Sequence, residues 1–493
     1  MPQKVAVIGA GPSGLASAKA LLECGIEPVI FEAADQLGGL WRPKDGHTWN
    51  DMRTNLSKWT CVFSDHPWPD VAEEFPYGRD VQAYLESYAK KFSIHKYINY
   101  DHRVDFIEKV SRGFSVSFTH NGKNCADIFE NVIVASGVFA KRSQPQLTGI
   151  KNFKGDSLHS GEYKYANMIK GQRVAVVGGS MSGVEIASHL AEAGREVILV
   201  MDRPVWILPH YYVDSNSGAN IPLDLFLYSR RNLASPTQSV LDEKEKHIKS
   251  ATFLENTFGN PGDTHEALRT HIDGTPPYSA ISDNFLRHVK SGKIAPVIGK
   301  VDFACEGGIA IASGEKFSVD ALLFCTGFSI DLSFLDERSQ AAIAYRPDDK
   351  LVPYLADKTV IHPKLDGMYF VGLYRGPYFG IIELQARWAA LLIAREVVPP
   401  SKKKQILNIE KESLIRNAIP RPQFPHGNYV EFADSIATEI GAIPDCGLDA
   451  SMVGAIASGP VVPGQYRLCG PYANKTEAAY AIEAACARAG VLI

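Results

Sequence analysis

Lys4-Val5-Ala6-Val7-Ile8-Gly9-Ala10-Gly11-Pro12-Ser13-Gly14 is a short apolar run that ends in a glycine-rich turn, and Leu15 to Glu23 follows with helical spacing. Val29 to Phe31 then reads as a second strand, ending in Glu32. Such a strand-turn-helix-strand unit sets a pyrophosphate over backbone N–H groups at a helix N-terminus, where the helix dipole favours negative charge. Gly9, Gly11, Pro12, Ser13 and Gly14 are the candidate phosphate-binding positions. Glu32, about twenty residues past the loop, is placed to accept hydrogen bonds from ribose hydroxyls. A solvated strand-end acid is the plainer alternative. Val5 to Leu22 also has the length of a signal peptide, but Gly9, Gly11, Pro12 and Gly14 break it and the turn explains each of them.

The plan recurs about 170 residues on. Arg173 to Val177 is a strand, Gly178-Gly179-Ser180-Met181-Ser182-Gly183 the loop, Met181 to Ala193 the helix and Glu196 to Val200 the next strand. Two such loops predict two bound dinucleotides, and two dinucleotides in one chain imply electron transfer between them. The expected fold is α/β, with two Rossmann-like dinucleotide-binding domains. Ala321 to Phe324 and Met368 to Leu373 read as further strands, followed by a helix over Glu383 to Val397, so the chain returns to the first domain after finishing the second. The expected division is 1–165 and 321–493, with a C-terminal tail, for the first domain, and 166–320 for the second. Within the latter, 207–280 reads as an insertion lying over the site, because it lacks sustained periodicity.

The 493 residues carry a net charge of −4, with no basic face suited to nucleic acid or anionic lipid. Apolar stretches such as Ala389 to Ala394 fall well short of the ~20 residues of a membrane span. A soluble, cytoplasmic enzyme acting on a small molecule is expected, with a homodimer left open. The eight cysteines, at 24, 61, 125, 305, 325, 446, 469 and 486, stand singly. This argues for a reducing compartment, and the lack of a CxxC pair argues against a dithiol reductase. No His/Cys spacing suggests a metal site. Lys402-Lys403-Lys404 reads as a solvated helix start.

Between the two loops lies Phe153-Lys154-Gly155-Asp156-Ser157-Leu158-His159-Ser160-Gly161-Glu162-Tyr163. With the loops it resembles the flavin-containing monooxygenases, whose FxGxxxHxxx(Y/F) fingerprint is met by Phe153, Gly155, His159 and Tyr163. The similarity extends to Gly38-Gly39-Leu40-Trp41, Thr54-Asn55, Phe63-Ser64-Asp65, Phe324-Cys325-Thr326-Gly327-Phe328 and Glu383-Leu384-Gln385-Ala386-Arg387-Trp388. The tail at Pro463-Gly464-Gln465-Tyr466-Arg467 looks similar to membrane-attached animal members, and the chain stops at Ile493 where those carry a hydrophobic anchor. Baeyer-Villiger relatives have Trp or Pro followed by Asp in place of Tyr163-Lys164, a departure that favours the N/S-oxygenating branch.

The resemblance implies that NADPH reduces FAD and that O2 adds to flavin C4a as a hydroperoxide, which oxygenates a soft nucleophile, an amine nitrogen or a thioether sulfur. Ketone oxygenation and a non-catalytic flavoprotein redox sensor are the alternatives. The cofactor supplies the chemistry, so neither a triad nor a metal is expected. The resemblance places Gly39, Leu40, Trp41, Thr54, Asn55, Val104 and Gln385 beside the flavin nucleotide, and Gly178, Ser180, Ser182, Gly183, Val184, Glu185, Asp202 and Arg203 beside the nicotinamide nucleotide. Asn55 is the expected catalytic residue, since an amide can hydrogen-bond the oxidant without giving it a proton; an Asx-turn is its plain alternative. Asp202 favours a free ribose 2′-hydroxyl while Arg203 suits a 2′-phosphate, so NADPH is expected with measurable NADH use.

His159 is expected to organise the domain junction, Phe153 and Tyr163 to pack, Gly155 to need an unusual backbone angle, and Cys325 to be a buried small hydrophobe. Glu383 and Gln385 are expected to begin a helix whose N-terminus faces the flavin, or to make an ordinary cap and a surface Glu383–Arg387 pair. Trp206, Tyr211, Tyr212, Phe226 and Tyr228 either surround a cationic substrate or pack the insertion.

Overall fold

A computed structural model describes residues 3–215, 217–230, 242–376 and 379–491. Part of the expected insertion, 231–241, and the last two residues, 492–493, lie outside them. Two five-stranded parallel sheets organise the chain. In the first, Lys4–Ile8 is central, flanked by Glu27–Phe31 and Asn131–Val134, with Ile98–Asn99 and Met368–Phe370 at the edges. Val5, Ala6 and Val7 are fully buried because a central parallel strand is covered on both faces, which is why the run is apolar without alternation. The helix Pro12–Glu23 lies on one face, packed against the helix Phe379–Ile393.

The second sheet runs Ile294–Ile298, Glu196–Met201, Arg173–Val177, Ala321–Phe324, Asp156–His159. Two of these strands lie outside the span 166–320 expected for the second domain. Asp156–His159 and Ala321–Phe324 pair with each other, Leu323 opposite Leu158, and so join the second sheet instead of the first. Ala321–Phe324 is apolar enough for either sheet and Asp156–His159 is mostly polar, so only the pairing assigns them. The strand that returns to the first sheet is Met368–Phe370. An antiparallel meander, Arg103–Val110, Gly113–His120 and Lys123–Phe129, borders the first sheet.

The insertion is closed at its base by Trp206–Leu208 pairing with Ser279–Ile281. It carries a short helix, Leu223–Leu227, and a longer one, Glu243–Phe258, which Asp242 caps through the N–H of Glu245. Trp206 is buried, Tyr212 stacks on Phe226 at 3.7 Å, and the Tyr211 hydroxyl donates to Glu74. Of the five aromatics singled out here, Tyr228 alone lines the central cavity.

The tail folds back on the body. Helices Ala450–Ser458 and Lys475–Arg488 enclose a small core that includes Leu225 of the insertion. Cys446 and Cys469 are joined by a disulfide, their Cα atoms 5.9 Å apart, which corrects the expectation that all eight cysteines stand singly. A separation of 23 residues matches no local motif, so the pairing depends on how the tail folds. No helix of the described residues is long and apolar enough to cross a membrane.

Candidate functional site

The two glycine loops open onto one continuous cavity of about 1590 Å³. Pockets for one small ligand run to ~300–1,000 Å³, so this volume suits more than one. Gly9, Gly11, Pro12, Ser13, Glu32, Gly39, Leu40, Trp41, Thr54, Asn55 and Val104 line its first half, and Gly178, Ser180, Ser182, Glu185, Asp202 and Arg203 its second. Gly14, Gly183, Val184 and Gln385 do not line it.

Each loop closes tightly on its own helix. A Cβ on Gly14 would stand 1.8 Å from the Gly9 carbonyl oxygen, and one on Gly183 1.7 Å from that of Gly178. Neither residue touches the cavity; both let the helix start abut the strand end. At the N-termini of the two helices, Gly11 and Ser180 provide no side-chain cap, a trait shared with the short helices Leu223–Leu227 and Phe285–Lys290, whereas Asp242, Ser401, Asn428, Asp449 and Asn474 cap longer ones. First-turn N–H groups left without a side-chain acceptor and aimed at a cavity are what a pyrophosphate requires. The residues therefore fit two dinucleotides.

Glu32 is buried, with one oxygen accepting from the Ala10 N–H at 2.7 Å and the other from Ala34 at 3.0 Å. It thus holds the first loop as well as facing the cavity. The Thr54 hydroxyl donates to the Leu56 carbonyl at 2.7 Å. Asn55, half-buried in the wall, makes no side-chain hydrogen bond to the protein among the described residues, so its amide is free for a ligand. On the nicotinamide side, Arg203 bonds Asp202 at 3.0 Å and lies over the Tyr278 ring at 4.5 Å. Burial raises the Glu185 carboxyl above its ordinary range.

Gln385 is corrected by the structure. The helix begins at Phe379, a turn earlier than expected, so Glu383 and Gln385 lie inside it. Gln385 Oε1 accepts from Gly372 N–H at 2.8 Å, and its Nε2 donates to Thr359 Oγ1 at 2.7 Å, which secures the strand end near Ser13 instead of a nucleotide. Glu383 and Arg387 are buried, not a surface pair. Glu383 accepts from Ser64 N–H at 2.8 Å and from Arg467 Nε at 3.0 Å, while Arg387 donates to the Tyr466 carbonyl at 2.8 Å.

The fingerprint residues brace the crossing between the sheets. His159 is fully buried; its Nδ1 accepts from Gly161 N–H and its Nε2 donates to the Gly327 carbonyl, each at 3.1 Å. Both ring nitrogens are thereby used, the imidazole is held neutral, and burial lowers its pKa further. Gly155 does not adopt a positive φ, contrary to expectation. It is needed because a Cβ there would lie 1.9 Å from the Asp320 carbonyl oxygen. Tyr163 is buried and shares a hydrogen bond with His189 at 2.8 Å. Cys325 is buried, which pushes its thiol pKa up and leaves it unreactive. Lys164, at the position where the ketone-oxidising branch departs, donates to the carbonyls of Gly46 and Thr48 at 2.8 and 2.9 Å.

Sequence reasoning missed several wall residues. Lys350 donates to the Thr326 carbonyl, Arg375 to those of Lys350 and Phe328, and Gln423 to Ser180 Oγ at 3.0 Å. All three come from the last third of the chain, and no spacing ties them to either loop.

The family model described as Flavin-binding monooxygenase-like matches residues 2–489. Flavin-containing monooxygenase 5 of Rattus norvegicus is 30% identical over 498 residues, covering 95% of this chain and 89% of that protein. Dimethylaniline monooxygenase [N-oxide-forming] 2 of Cavia porcellus is 29% identical over 494 residues, with 96% and 89% covered. In fold the chain is similar to the closed crystal structure of cyclohexanone monooxygenase, with a TM-score of 0.64, 16% identity, and 89% of this chain and 97% of that one covered.

Proposed function

Because the chain belongs to the flavin-binding monooxygenase-like family, we propose that it is an NADPH- and O2-dependent monooxygenase that adds one oxygen atom to an amine nitrogen or a thioether sulfur. The observation that carries this reading is the single cavity joining two uncapped helix N-termini, with the free amide of Asn55 in its wall. The first glycine loop would hold FAD and the second NADPH, and the bound pair would supply hydride transfer and O2 activation. The protein binds, orients and excludes water. Helix Pro12–Glu23 holds the flavin pyrophosphate and Glu32 faces the ribose, while helix Met181–Glu192 holds the nicotinamide pyrophosphate.

Arg203 takes the 2′-phosphate of NADPH, and Asp202 leaves NADH measurably usable. Asn55 hydrogen-bonds the reacting oxygen without supplying a proton. Leu56, Leu227, Phe379 and Ile382 give that end of the cavity an apolar wall, which suits a soft, weakly solvated nucleophile. The residues assigned to the cofactors divide as 1–155 and 325–491 for FAD and 156–324 for NADPH.

The test is product analysis with NADPH and O2, using N,N-dimethylaniline, a thioether and cyclohexanone in parallel. N-oxide or S-oxide equal to the NADPH consumed is expected. Lactone from cyclohexanone as the main product would replace this reading with ketone oxygenation. Flavin reduction yielding only peroxide with every substrate would leave a redox flavoprotein without oxygenation.

A further inference from the structure

Among the described residues Asn55 has no side-chain partner, so its orientation depends on the backbone of its own loop. That loop is gathered at one point. Asp224, on the short insertion helix Leu223–Leu227, is 3% exposed and lies 167 residues from Ser57 in sequence. Its Oδ2 accepts from the Ser57 N–H at 3.0 Å, from Ser57 Oγ at 2.7 Å and from Thr60 Oγ1. Its other oxygen, Oδ1, is buried and accepts no hydrogen bond from another described residue. Ser57 in turn receives the N–H groups of Thr60 and Cys61 on its carbonyl, so the three donors define the whole turn 57–61.

We propose that Asp224 is the positioning residue of the oxygenation site, fixing the Asn55 amide through Ser57 and Thr60. This rests on the monooxygenase reading above. A buried carboxylate with one oxygen left without a donor from another described residue is costly for mere stability, because the desolvation of that oxygen is not repaid. Burial accordingly raises its pKa above the ordinary 3.8, against the pull of the Ser57 and Thr60 donors. The carboxylate also spans two parts of the cavity wall. Leu223, Leu227 and Tyr228 of the insertion line the cavity on one side of it, and Asn55, Leu56 and Cys61 on the other. Asp224 thereby sets the distance between the substrate-facing insertion and the amide. A misplacement near 1 Å at a reacting centre can cost about a hundredfold in rate.

The experiment compares wild type with Asp224→Asn, Asp224→Ala and Ser57→Ala as purified flavoproteins. It reads bound FAD, the rate of flavin reduction by NADPH, and the split of NADPH electrons between oxygenated product and peroxide. Asp224→Asn keeps an acceptor for the three donors, with its NH2 group at the unpartnered side, and is expected to stay within about threefold of wild type in product yield per NADPH. Asp224→Ala is expected to lower that yield about tenfold or more, with FAD content and flavin reduction within twofold, and Ser57→Ala to fall between.

Equal yields in wild type, Asp224→Ala and Ser57→Ala would overturn the proposal. So would loss of FAD or of flavin reduction in step with product, or failure of Asp224→Asn to rescue. If Asp224→Ala does not fold, the Ser57→Ala and Asp224→Asn pair decides in the same way. Wild type yielding no oxygenated product would instead remove the monooxygenase reading and this proposal with it, an outcome visible before any variant is compared.

Discussion

At the scale of single residues, the chemistry is assigned by what each side chain leaves unbonded. Half-buried Asn55 differs from the buried polar groups around it in having no side-chain partner among the described residues, and an amide is unable to ionise there. Asn55→Asp changes little in size but adds a group that can exchange a proton with the oxidant. The variant is expected to keep FAD, to lose oxygenated product at least tenfold, about 1.4 kcal/mol of barrier, and to release correspondingly more peroxide. Unchanged product yield would remove Asn55 from the mechanism.

The glycines of the two loops allow a cleaner separation. With a Cβ 1.8 Å from a carbonyl oxygen, Gly14→Ala must push the first helix off its strand, and Gly183→Ala does the same to the second. Gly14→Ala is expected to lose the yellow flavin on gel filtration. Gly183→Ala is expected to keep it while the apparent NADPH affinity falls tenfold or more, about 1.4 kcal/mol. The loops were legible from sequence because the constraint is local, the glycine and the carbonyl it must clear being five residues apart. Gln385 was not. Its amide is satisfied by Gly372 and Thr359, and no count along the helix reveals which neighbour will claim it.

At the scale of elements, the second sheet is secured at its entry by Asp320, which precedes the strand Ala321–Phe324. One of its oxygens accepts from the N–H groups of Gln172 and Arg173 and the other from the Arg173 guanidinium, all at 2.9 Å. These donors push its pKa from the ordinary 3.8 down to about 2. A carboxylate depressed in the folded state adds stability above its ordinary pKa and loses it as pH falls through the folded value. Asp320→Asn is therefore expected to lower the melting temperature at neutral pH, with the gap to wild type closing between about pH 4 and pH 2. A gap that persists below pH 2 would mean the carboxylate's charge is not the source. Ala321–Phe324 was readable as a strand from its apolar run, whereas Asp156–His159, with Leu158 its one aliphatic residue, was not. Their sheet was not readable either, because only the parallel pairing of Ala321–Phe324 with Asp156–His159 assigns both strands to the second sheet.

At the scale of the whole molecule, the tail is fastened to the flavin-binding half by a buried ion network. Arg467 reaches Glu383, Ser64 and Glu23, and Lys19 joins Glu23 and Asp65. Arg467 and Arg387 hold the Glu383 carboxyl below its ordinary pKa despite complete burial. Removing one member of such a set leaves uncompensated charge and typically costs about 3–5 kcal/mol. Arg467→Met is expected to lower the unfolding free energy by that amount, read as a lower denaturation midpoint, and to speed FAD loss, because Lys19 and Glu23 lie on the helix that begins at the first glycine loop. A midpoint within error of wild type would show the network to be neutral.

Sequence by itself determined what is contiguous: two strand-loop-helix units, Glu32 at its interval, and the Phe153-to-Tyr163 fingerprint that identifies the family. Each rests on steric or hydrogen-bond demands among residues a few positions apart, and those demands leave a repeating pattern in the chain. Tertiary structure alone decided which sheet the fingerprint strand joins, that Glu383 and Gln385 turn away from the cavity, and that Cys446 meets Cys469. It also decided that Asp224 governs a loop 167 residues away and that Arg467 reaches Ser64 across 403 residues. The physical reason is that a buried charge or amide is satisfied by whichever partner the packed chain brings within about 3 Å, and over such separations no periodicity records the choice.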